Sequence, residues 1–344
     1  MHFDVTIIGG GPAGIALGIM LVEENYNVCV VDKAVFPRDK LCGGLLTKKT
    51  VSLLSNILKI PNVLSGVQHQ SIDHIHVIAN GWDTFYRKRK NPYAIVNRVD
   101  FDSFLVDYYK SLGGIIWEGT KIEEIRTEAR FITLSNKTVI SYDFLVGADG
   151  VYSSVREHVD ANYKANGMCF ENYIDKDSLT LDKDSIYLFY GLKRYGYGWV
   201  FPRIDDYVVG VGGVTGNNKD LTQFKKISEL LNISDTARGR HLAFGEIVKQ
   251  PLIDNIILVG DAAGLVDPIT GEGLYYALLS AKYAFLHITQ ASIHINYLKN
   301  IKKIHKKILL YRIFRPLFYN AFFQKMWFGI IWKRISRIRT SRCL

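Results

Sequence analysis

Residues 3–14 read Phe3-Asp4-Val5-Thr6-Ile7-Ile8-Gly9-Gly10-Gly11-Pro12-Ala13-Gly14. The apolar, β-branched run over 3–8 predicts a buried strand, and a proline suited to a helix's first turn predicts a helix from Pro12 to Glu24. Asn27 to Asp32 (N-V-C-V-V-D) predicts a second buried strand and completes a βαβ unit. Between strand and helix the glycines fall as G-x-G-x-x-G. In that setting Gly9 allows the tight turn, Gly11 lets backbone N–H groups approach a pyrophosphate, and Gly14 lets helix and strand pack closely. Pro12 and Ala13 belong to the same turn. Asp32, 18 residues beyond Gly14 and followed by Lys33, is placed to accept hydrogen bonds from an adenosine ribose and would repel a 2′-phosphate. These residues together favour an unphosphorylated dinucleotide, FAD or NAD.

Outward from this unit the chain leaves the sheet and returns to it. A loop from Lys33 to Leu45, containing F-P-R-D-K-L-C-G-G, precedes a helix from about Thr47 to Leu58. Ile72 to Val96 predicts two or three strands of an antiparallel sheet, and Phe101 to Leu112 has helical spacing. Short strands then lead to Phe144–Val146, a buried strand ending in G-A-D-G. Segments 184–190, 197–201 and 206–214 predict a separate sheet, with an amphipathic helix over Leu221 to Leu231. Asn255 to Val259 is a last buried strand entering G-D-A-A-G, and helix is predicted from Glu272 to the end. The expected fold is α/β, with a doubly wound, Rossmann-type sheet assembled from 1–70, 97–160 and 250–290. An inserted, antiparallel β-rich substrate lobe comes from 71–96 and 161–249, and 291–344 forms a helical tail.

Two later segments favour FAD. D-F-L-V-G-A-D-G over Asp143–Gly150, followed by Ser153 and Arg156, resembles the D-G motif of the FAD-dependent superfamily that contains the aromatic hydroxylases and geranylgeranyl reductases. L-V-G-D-A-A over Leu258–Ala263, followed by Pro268, Gly271, Glu272 and Gly273, resembles its G-D motif, in which Gly260 and Asp261 stand. A carboxylate at a strand's C-terminal end suits ribityl hydroxyls, and glycine N–H groups at a helix start suit the negative charge of a reduced flavin's N1–O2 edge. The resemblance implies Asp149 near the pyrophosphate, Asp261 against the ribityl chain and Arg98 against the ribityl-phosphate region.

Y-x-W-x-F-P over Tyr197–Pro202, followed by Gly210-x-Gly212, is similar to a signature of the geranylgeranyl reductase family, which saturates double bonds in isoprenoid chains. K-x-C-G-G over Lys40–Gly44 resembles another segment of that family, and the likeness runs from residue 3 to about 285 with all four motifs in order. It implies hydride transfer from reduced flavin to one alkene carbon and protonation of the other. Cys42, Gly43 and Gly44 would lie against the cofactor, and Cys42, Tyr197 and Trp199 would face the reacting bond. Arg203 follows Pro202 where that family commonly has lysine, and the substrate lobe looks short. A flavin-dependent monooxygenase of the same superfamily shares the D-G and G-D motifs. A third reading is a flavin-bearing membrane-surface protein that binds an isoprenoid without turning it over.

Tyr197, Trp199 and Phe201 alternate along a strand and so share one face, where they either wall an apolar tunnel or pack a core. Gly210 and Gly212 weaken a strand unless something approaches closely. Cys42, between a basic loop and two glycines, is either a proton donor or flavin modulator or a small buried thiol; Cys29, in a buried strand, is core. The nine histidines show no metal-ligand spacing. The run Val208 to Gly216 imitates a second dinucleotide turn, but its glycines fall inside the family signature. NAD(P)H or a reduced electron carrier is therefore expected to act as a transient reductant.

Charge is uneven along the chain. From Leu274 onward there are 14 of the 43 Lys and Arg and none of the 33 Asp and Glu, so the first 273 residues hold 29 bases against 33 acids. The tail interleaves Lys302, Lys303, Lys306, Lys307, Arg312 and Arg315 with Phe314, Phe318, Phe322, Phe323, Trp327, Phe328 and Trp332. That composition suits either an interfacial helix on an anionic membrane or a helical cap on the lobe beside it, and its aromatics suit lipid better than nucleic acid. Four cysteines without ligand spacing fit a reducing cytoplasm. No signal peptide is expected before a strand that starts at Phe3, and no apolar run is long enough to span a bilayer. The expected location is the cytoplasm, at the membrane's inner face.

Overall fold

Among the described residues, six α-helices and sixteen strands form as the apolar patterning alternates between periods of two and 3.6. The computed structural model describes residues 1–79, 82–215, 220–289 and 296–326. In chain order the strands begin with β1 (His2–Ile8), β2 (Val28–Val31), β3 (Leu45–Leu46), β4 (His69–Ala79), β5 (Trp82–Val96), β6 (Ile115–Trp117), β7 (Ile122–Arg126) and β8 (Phe131–Leu134). They continue with β9 (Val139–Gly147), β10 (Gly167–Asp175), β11 (Ser185–Lys193), β12 (Gly196–Pro202), β13 (Asp206–Val214), β14 (Arg238–Leu242), β15 (Leu252–Ile253) and β16 (Ile256–Leu258). The helices are α1 (Pro12–Glu23), α2 (Lys48–Leu58), α3 (Arg98–Ser111), α4 (Asp220–Leu231), α5 (Leu274–Ile288) and α6 (Tyr297–Phe318).

The first sheet has the order β15-β16-β9-β1-β2-β6, with β16 to β6 all parallel and a β7–β8 ribbon on β9. Its central strands are buried on both faces, which is why they read as unbroken apolar runs. Helix α1 is apolar on every side because it lies between the sheet and other helices. A Cβ at Gly18 would fall 2.9 Å from the Tyr109 ring of α3, whose hydroxyl donates to the Val28 and Ile115 carbonyls.

The second sheet has the order β14-β10-β13-β12-β11-β4-β5-β3. Every neighbouring pair is antiparallel except β4–β11, so the antiparallel expectation needs that one correction. The chain goes back through the first sheet between β5 and β11, so no hairpin constrains the direction in which β11 joins. Alternation along β13 then divides the sheet: Val209 and Val211 pack with Phe224 and Ile227 of α4, while Val208 joins Trp199, Phe201 and Cys169 on the opposite face.

The single helix expected from Glu272 to the end is also corrected. Helix α5 ends at Ile288, and Asn296 starts α6 by accepting the Leu298 N–H through Oδ1 at 2.9 Å. Trp327, Phe328, Trp332 and the basic residues after them lie outside the described residues. Helix α6 buries Tyr297, Ile301, Ile304, His305 and Ile308 in the large core under the first sheet. Burial lowers the His305 pKa from 6.5 to about 4, and its Nε2 has no partner among the described residues. A histidine kept neutral by folding contributes stability that is full above its unfolded pKa and is lost as pH falls from about 6.5 toward about 4. Thermal unfolding should therefore show a larger loss of Tm between pH 7.5 and 5 for the wild type than for His305→Leu; equal losses would refute this coupling.

Candidate active site

The glycine turn is built by close approach. A Cβ on Gly14 would sit 2.0 Å from the Gly9 carbonyl oxygen, and one on Gly9, at φ +108°, would sit 2.4 Å from the Ala148 oxygen of the segment after β9. Gly11 differs: a Cβ there would meet only Arg38 Nη2, at 3.6 Å. Gly11 also starts α1 without a side-chain cap, so the first-turn N–H groups have no capping side chain. A donor set of this kind fits the pyrophosphate of a dinucleotide. Asp32 is fixed beside it, its Oδ2 accepting the Gly10 N–H at 2.7 Å and its Oδ1 the Ala34 N–H at 2.8 Å. Pro12 and Ala13 are buried in the turn, with Gly260 approaching Ala13, while Lys33 is exposed.

The D-G and G-D segments meet across the first sheet. Asp149 Oδ2 accepts from the Ser154 N–H and hydroxyl at 2.7 and 3.0 Å, and its Oδ1 is buried without a partner among the described residues. Buried Arg156 donates to the Val151 and Ala262 carbonyls at 2.7 and 3.2 Å, which ties the two segments together. Helix α5 starts after Gly273, again without a side-chain cap, and the Asp261 carboxylate lies 3.3 Å from the place of a Gly273 Cβ. Gly271, at φ +69°, is open but for Phe244 and the Tyr197 hydroxyl 3.8 Å away, and Pro268 fills the space beside Gly245. Thr47 and Lys49 at the start of α2 bind Glu272 and brace this turn.

Arg98 is 4 % exposed and committed to its own helix, its Nε and Nη2 donating to Asp102 at 2.7 and 2.8 Å. Burial alone would lower its pKa; Asp102 and a hydrogen bond to Cys42 outweigh burial and hold it charged. The space in front of Gly11 is taken instead by Arg38, which sequence reasoning did not single out. Its guanidinium lies 3.4 Å from Asp102, 4.0 Å from Asp32 and over the Phe36 ring. Two residues on, burial together with Arg240 lowers the Lys40 pKa to about 8. Lys40 opens the K-x-C-G-G segment, whereas the only signal for Arg38 was a basic loop between two glycine motifs.

Tyr197, Trp199 and Phe201 do share one face, with adjacent ring centroids 5.6 and 6.1 Å apart. The register sets Trp199 beside Gly210 and Tyr197 beside Gly212, and a Cβ on Gly210 would lie 2.4 Å from the indole. Glycine at 210 is what lets the indole lie over the neighbouring strand. Gly43 packs on Phe201 (2.6 Å from its Cβ position), Gly44 at φ +72° packs on the Val96 carbonyl, and the Tyr197 hydroxyl donates to the Thr270 carbonyl at 2.5 Å. The rings thus run from the Cys42–Gly44 loop to the Gly271 turn. Val208 to Val214 form the interior of β13, so that run makes no dinucleotide turn.

One further residue on this face carries no motif. Glu171 of β10 is 2 % exposed, stands opposite Gly210, and leaves Oε2 without a partner among the described residues. Burial raises its pKa to about 7, against the pull of Arg203, Arg238, Arg98 and Arg240. Only the alternation of Cys169, Glu171 and Tyr173 marks it, and that becomes readable once β10 is known to be a strand.

Comparison with known proteins bears on this geometry. Residues 2–178 match the family model described as FAD binding domain. An uncharacterised protein of Methanosarcina barkeri is 31% identical over 299 residues, covering 82% of this chain and 73% of the relative. A geranylgeranyl diphosphate reductase of Rhodobacter capsulatus is 27% identical over 302 residues, covering 83% and 74%. The crystal structure of a geranylgeranyl bacteriochlorophyll reductase-like protein of Thermoplasma acidophilum shares the fold, with a TM-score of 0.76 over 91% of this chain and 87% of that one, at 19% identity. With a close-packed glycine turn, an acid fixed beside it and two helix starts without side-chain caps, this chain belongs to the FAD binding domain family and is an FAD-dependent oxidoreductase of the superfamily that includes geranylgeranyl reductases and flavin monooxygenases.

Proposed function

We propose that this enzyme reduces isolated carbon–carbon double bonds of a polyprenyl lipid. The observation that carries the reading is the row of Tyr197, Trp199 and Phe201, stretched between the Cys42–Gly44 loop and the Gly271 turn over a strand emptied of side chains at Gly210 and Gly212. Trp199 and Phe201 are buried in a core cluster, and Tyr197, half-buried at the Gly271 end, is where an apolar chain would meet this row; an apolar wall there would exclude water, the condition for hydride chemistry on an unactivated alkene. The relative named geranylgeranyl diphosphate reductase supports the same choice. FAD, when bound and reduced, supplies the hydride.

The chain's own residues bind and orient. The N–H groups after Gly9 and Gly11 would take the pyrophosphate, with Arg38 as counter-charge and Asp149 at its side; Asp32 would take the ribose. Asp261 and Gly260 would hold the ribityl chain, and the α5 start at Gly271 and Gly273, shaped by Pro268, the pyrimidine edge. Gly43 on Phe201 and Gly44 on the Val96 carbonyl hold the Cys42–Gly44 loop against the aromatic row. A reduced nicotinamide or an electron carrier would serve as transient reductant.

The tail supports attachment to a membrane surface on the cytoplasmic side. Opposite its buried stripe, α6 exposes Leu310, Ile313, Phe314 and Leu317, with Phe322 and Met326 beyond, beside exposed Lys302, Lys303 and Lys306. Among the described residues no helix is long and apolar enough to cross a membrane. Packing on the core and lying on lipid thus use different faces of one helix.

Three outcomes are expected. Anaerobic mixing of the dithionite-reduced enzyme with geranylgeranyl diphosphate or longer polyprenyl lipids in detergent should reoxidise the flavin, and the lipid should gain two hydrogens by mass. A flavin that stays reduced until air enters, with no lipid hydrogenated, would favour oxygen-dependent hydroxylation or binding without turnover. Gly11→Val, which has room for its side chain in the protein alone, should fold with an unchanged Tm for the apoprotein yet bind FAD at least about tenfold more weakly; undiminished FAD affinity would remove the pyrophosphate from this turn. The enzyme should float with vesicles containing anionic lipid, and replacing Lys302, Lys303 and Lys306 with Glu should abolish this, since each base near the surface is worth about 1 kcal/mol; flotation unaffected by the triple variant would leave the tail as a cap alone.

A further inference from the structure

Glu171 has no part in the roles above. It lies midway along β10, in register with Gly210 of β13 on one side and Arg238 of β14 on the other, on the face that carries Tyr197 and Trp199. Across Gly210 from it, the Trp199 indole covers the glycine, and its Nε1, in a residue 8 % exposed, is likewise buried without a partner among the described residues. An acid and an N–H donor therefore flank one glycine, both unsatisfied. Each such group costs about 1–3 kcal/mol if nothing meets it, so a purely structural role at this position would be better served by leucine.

The charges around Glu171 do not neutralise it. Arg203 and Arg238 both lie over the Tyr173 ring, and they are paired with Asp206 and Asp39 respectively. Arg98 is held by Asp102, and Arg240, opposite Cys169, stands near Lys40. Cys169 and Tyr173 on its own strand are both pushed up by burial, the tyrosine to about 12, and stay uncharged at neutral pH. Burial thus dominates, and an acid lifted to about 7 is matched to proton transfer near neutrality. Of the other candidates, the Tyr197 hydroxyl is committed elsewhere: it donates to the Thr270 carbonyl, and burial drives its pKa far up.

We propose that Glu171 is the proton donor for the alkene, a role that rests on the reductase reading above. The Glu171 O–H bond breaks and its proton forms a C–H bond with one carbon, using the π pair. The hydride from reduced FAD forms the C–H bond at the other carbon. The alkene gains two electrons and the cofactor loses two, and the carboxylate takes its next proton from solvent.

The test compares wild type, Glu171→Gln and Glu171→Asp in the anaerobic lipid reaction, with FAD content and flavin spectrum measured on each. Glu171→Gln keeps the shape and neutrality of the acid and should retain FAD, yet reoxidise with lipid roughly 100-fold or more slowly. The aspartate variant should recover part of that rate. The wild-type rate should fall as pH rises through about 7, where Glu171 loses its proton, and the slow glutamine variant should lack that step. A protonated-carboxyl band in the infrared spectrum, titrating over the same range and missing from Glu171→Gln, would report the acid without any lipid present. A glutamine variant that hydrogenates lipid at the wild-type rate, or with the wild-type pH profile, overturns the role of Glu171 and leaves the reductase reading standing. A wild type that hydrogenates no lipid overturns the reductase reading, and proton donation to an alkene falls with it.

Discussion

The contact of Gly14 with the Gly9 carbonyl sets α1 against the first sheet, and the rest of the site takes its position from that approach. Neither glycine can carry a Cβ there, since the space is filled by the Gly9 carbonyl, the Ile7 side chain, and Ala148 and Asp149 of the segment after β9. Because the helix starts where the strands end, its unpaired N–H groups, the Asp32 carboxylate and the G-D turn converge at one edge of the sheet. The cost of an uncapped helix start is tolerable where an anion restores the missing acceptors.

The second sheet contributes through its two faces. Its core with α4 takes Val209, Val211, Phe224 and Ile227, and leaves the alternate residues of the same strands to form a wall toward the glycine turn. A strand of period two must send something to each side. Here the face toward α4 received Val200, Val209 and Val211, and the other received Tyr197, Trp199, Phe201, Gly210, Gly212 and Glu171. That segregation is the reason Tyr197, Trp199 and Glu171 share a face without any being adjacent in sequence.

Much of this was readable in advance. The βαβ unit, the return strands and the aromatic strand were legible because each joins a strong period to a punctuating glycine or proline. What was not legible depended on long-range register. Strand β10 hides because Glu171 and Asn172 interrupt its apolar pattern, and Glu171 acquires meaning only from pairing with Gly210, which lies 39 residues further along. Arg98 was legible as a type and a place, but not its engagement with Asp102, which requires knowing that the first turn of α3 faces inward. Arg38 was hidden because an irregular loop has no period to say where its side chains point. The break between α5 and α6 was marked only by Asn296, one cap residue in an otherwise helical composition.

That loop also explains how the two sheets act as one site. Arg38 reaches Asp32 and Asp102 by the first sheet, Asp39 pairs with Arg238 on the second, Gly43 lies on Phe201, and Gly44 packs beneath Val96. Within it Lys40 stands near three arginines, Arg240, Arg98 and Arg38, with Asp261 pulling the other way, and the balance after burial holds its pKa at about 8. So much positive charge in a half-buried cleft is an arrangement awaiting an anion. On the proposed placement, a diphosphate at the Gly11 turn would add negative charge on the side of this cluster where Arg38 lies, and would strengthen the hold of Lys40 on its proton. Linkage makes the effect reciprocal: a charged Lys40 tightens the binding of the diphosphate by the same free energy.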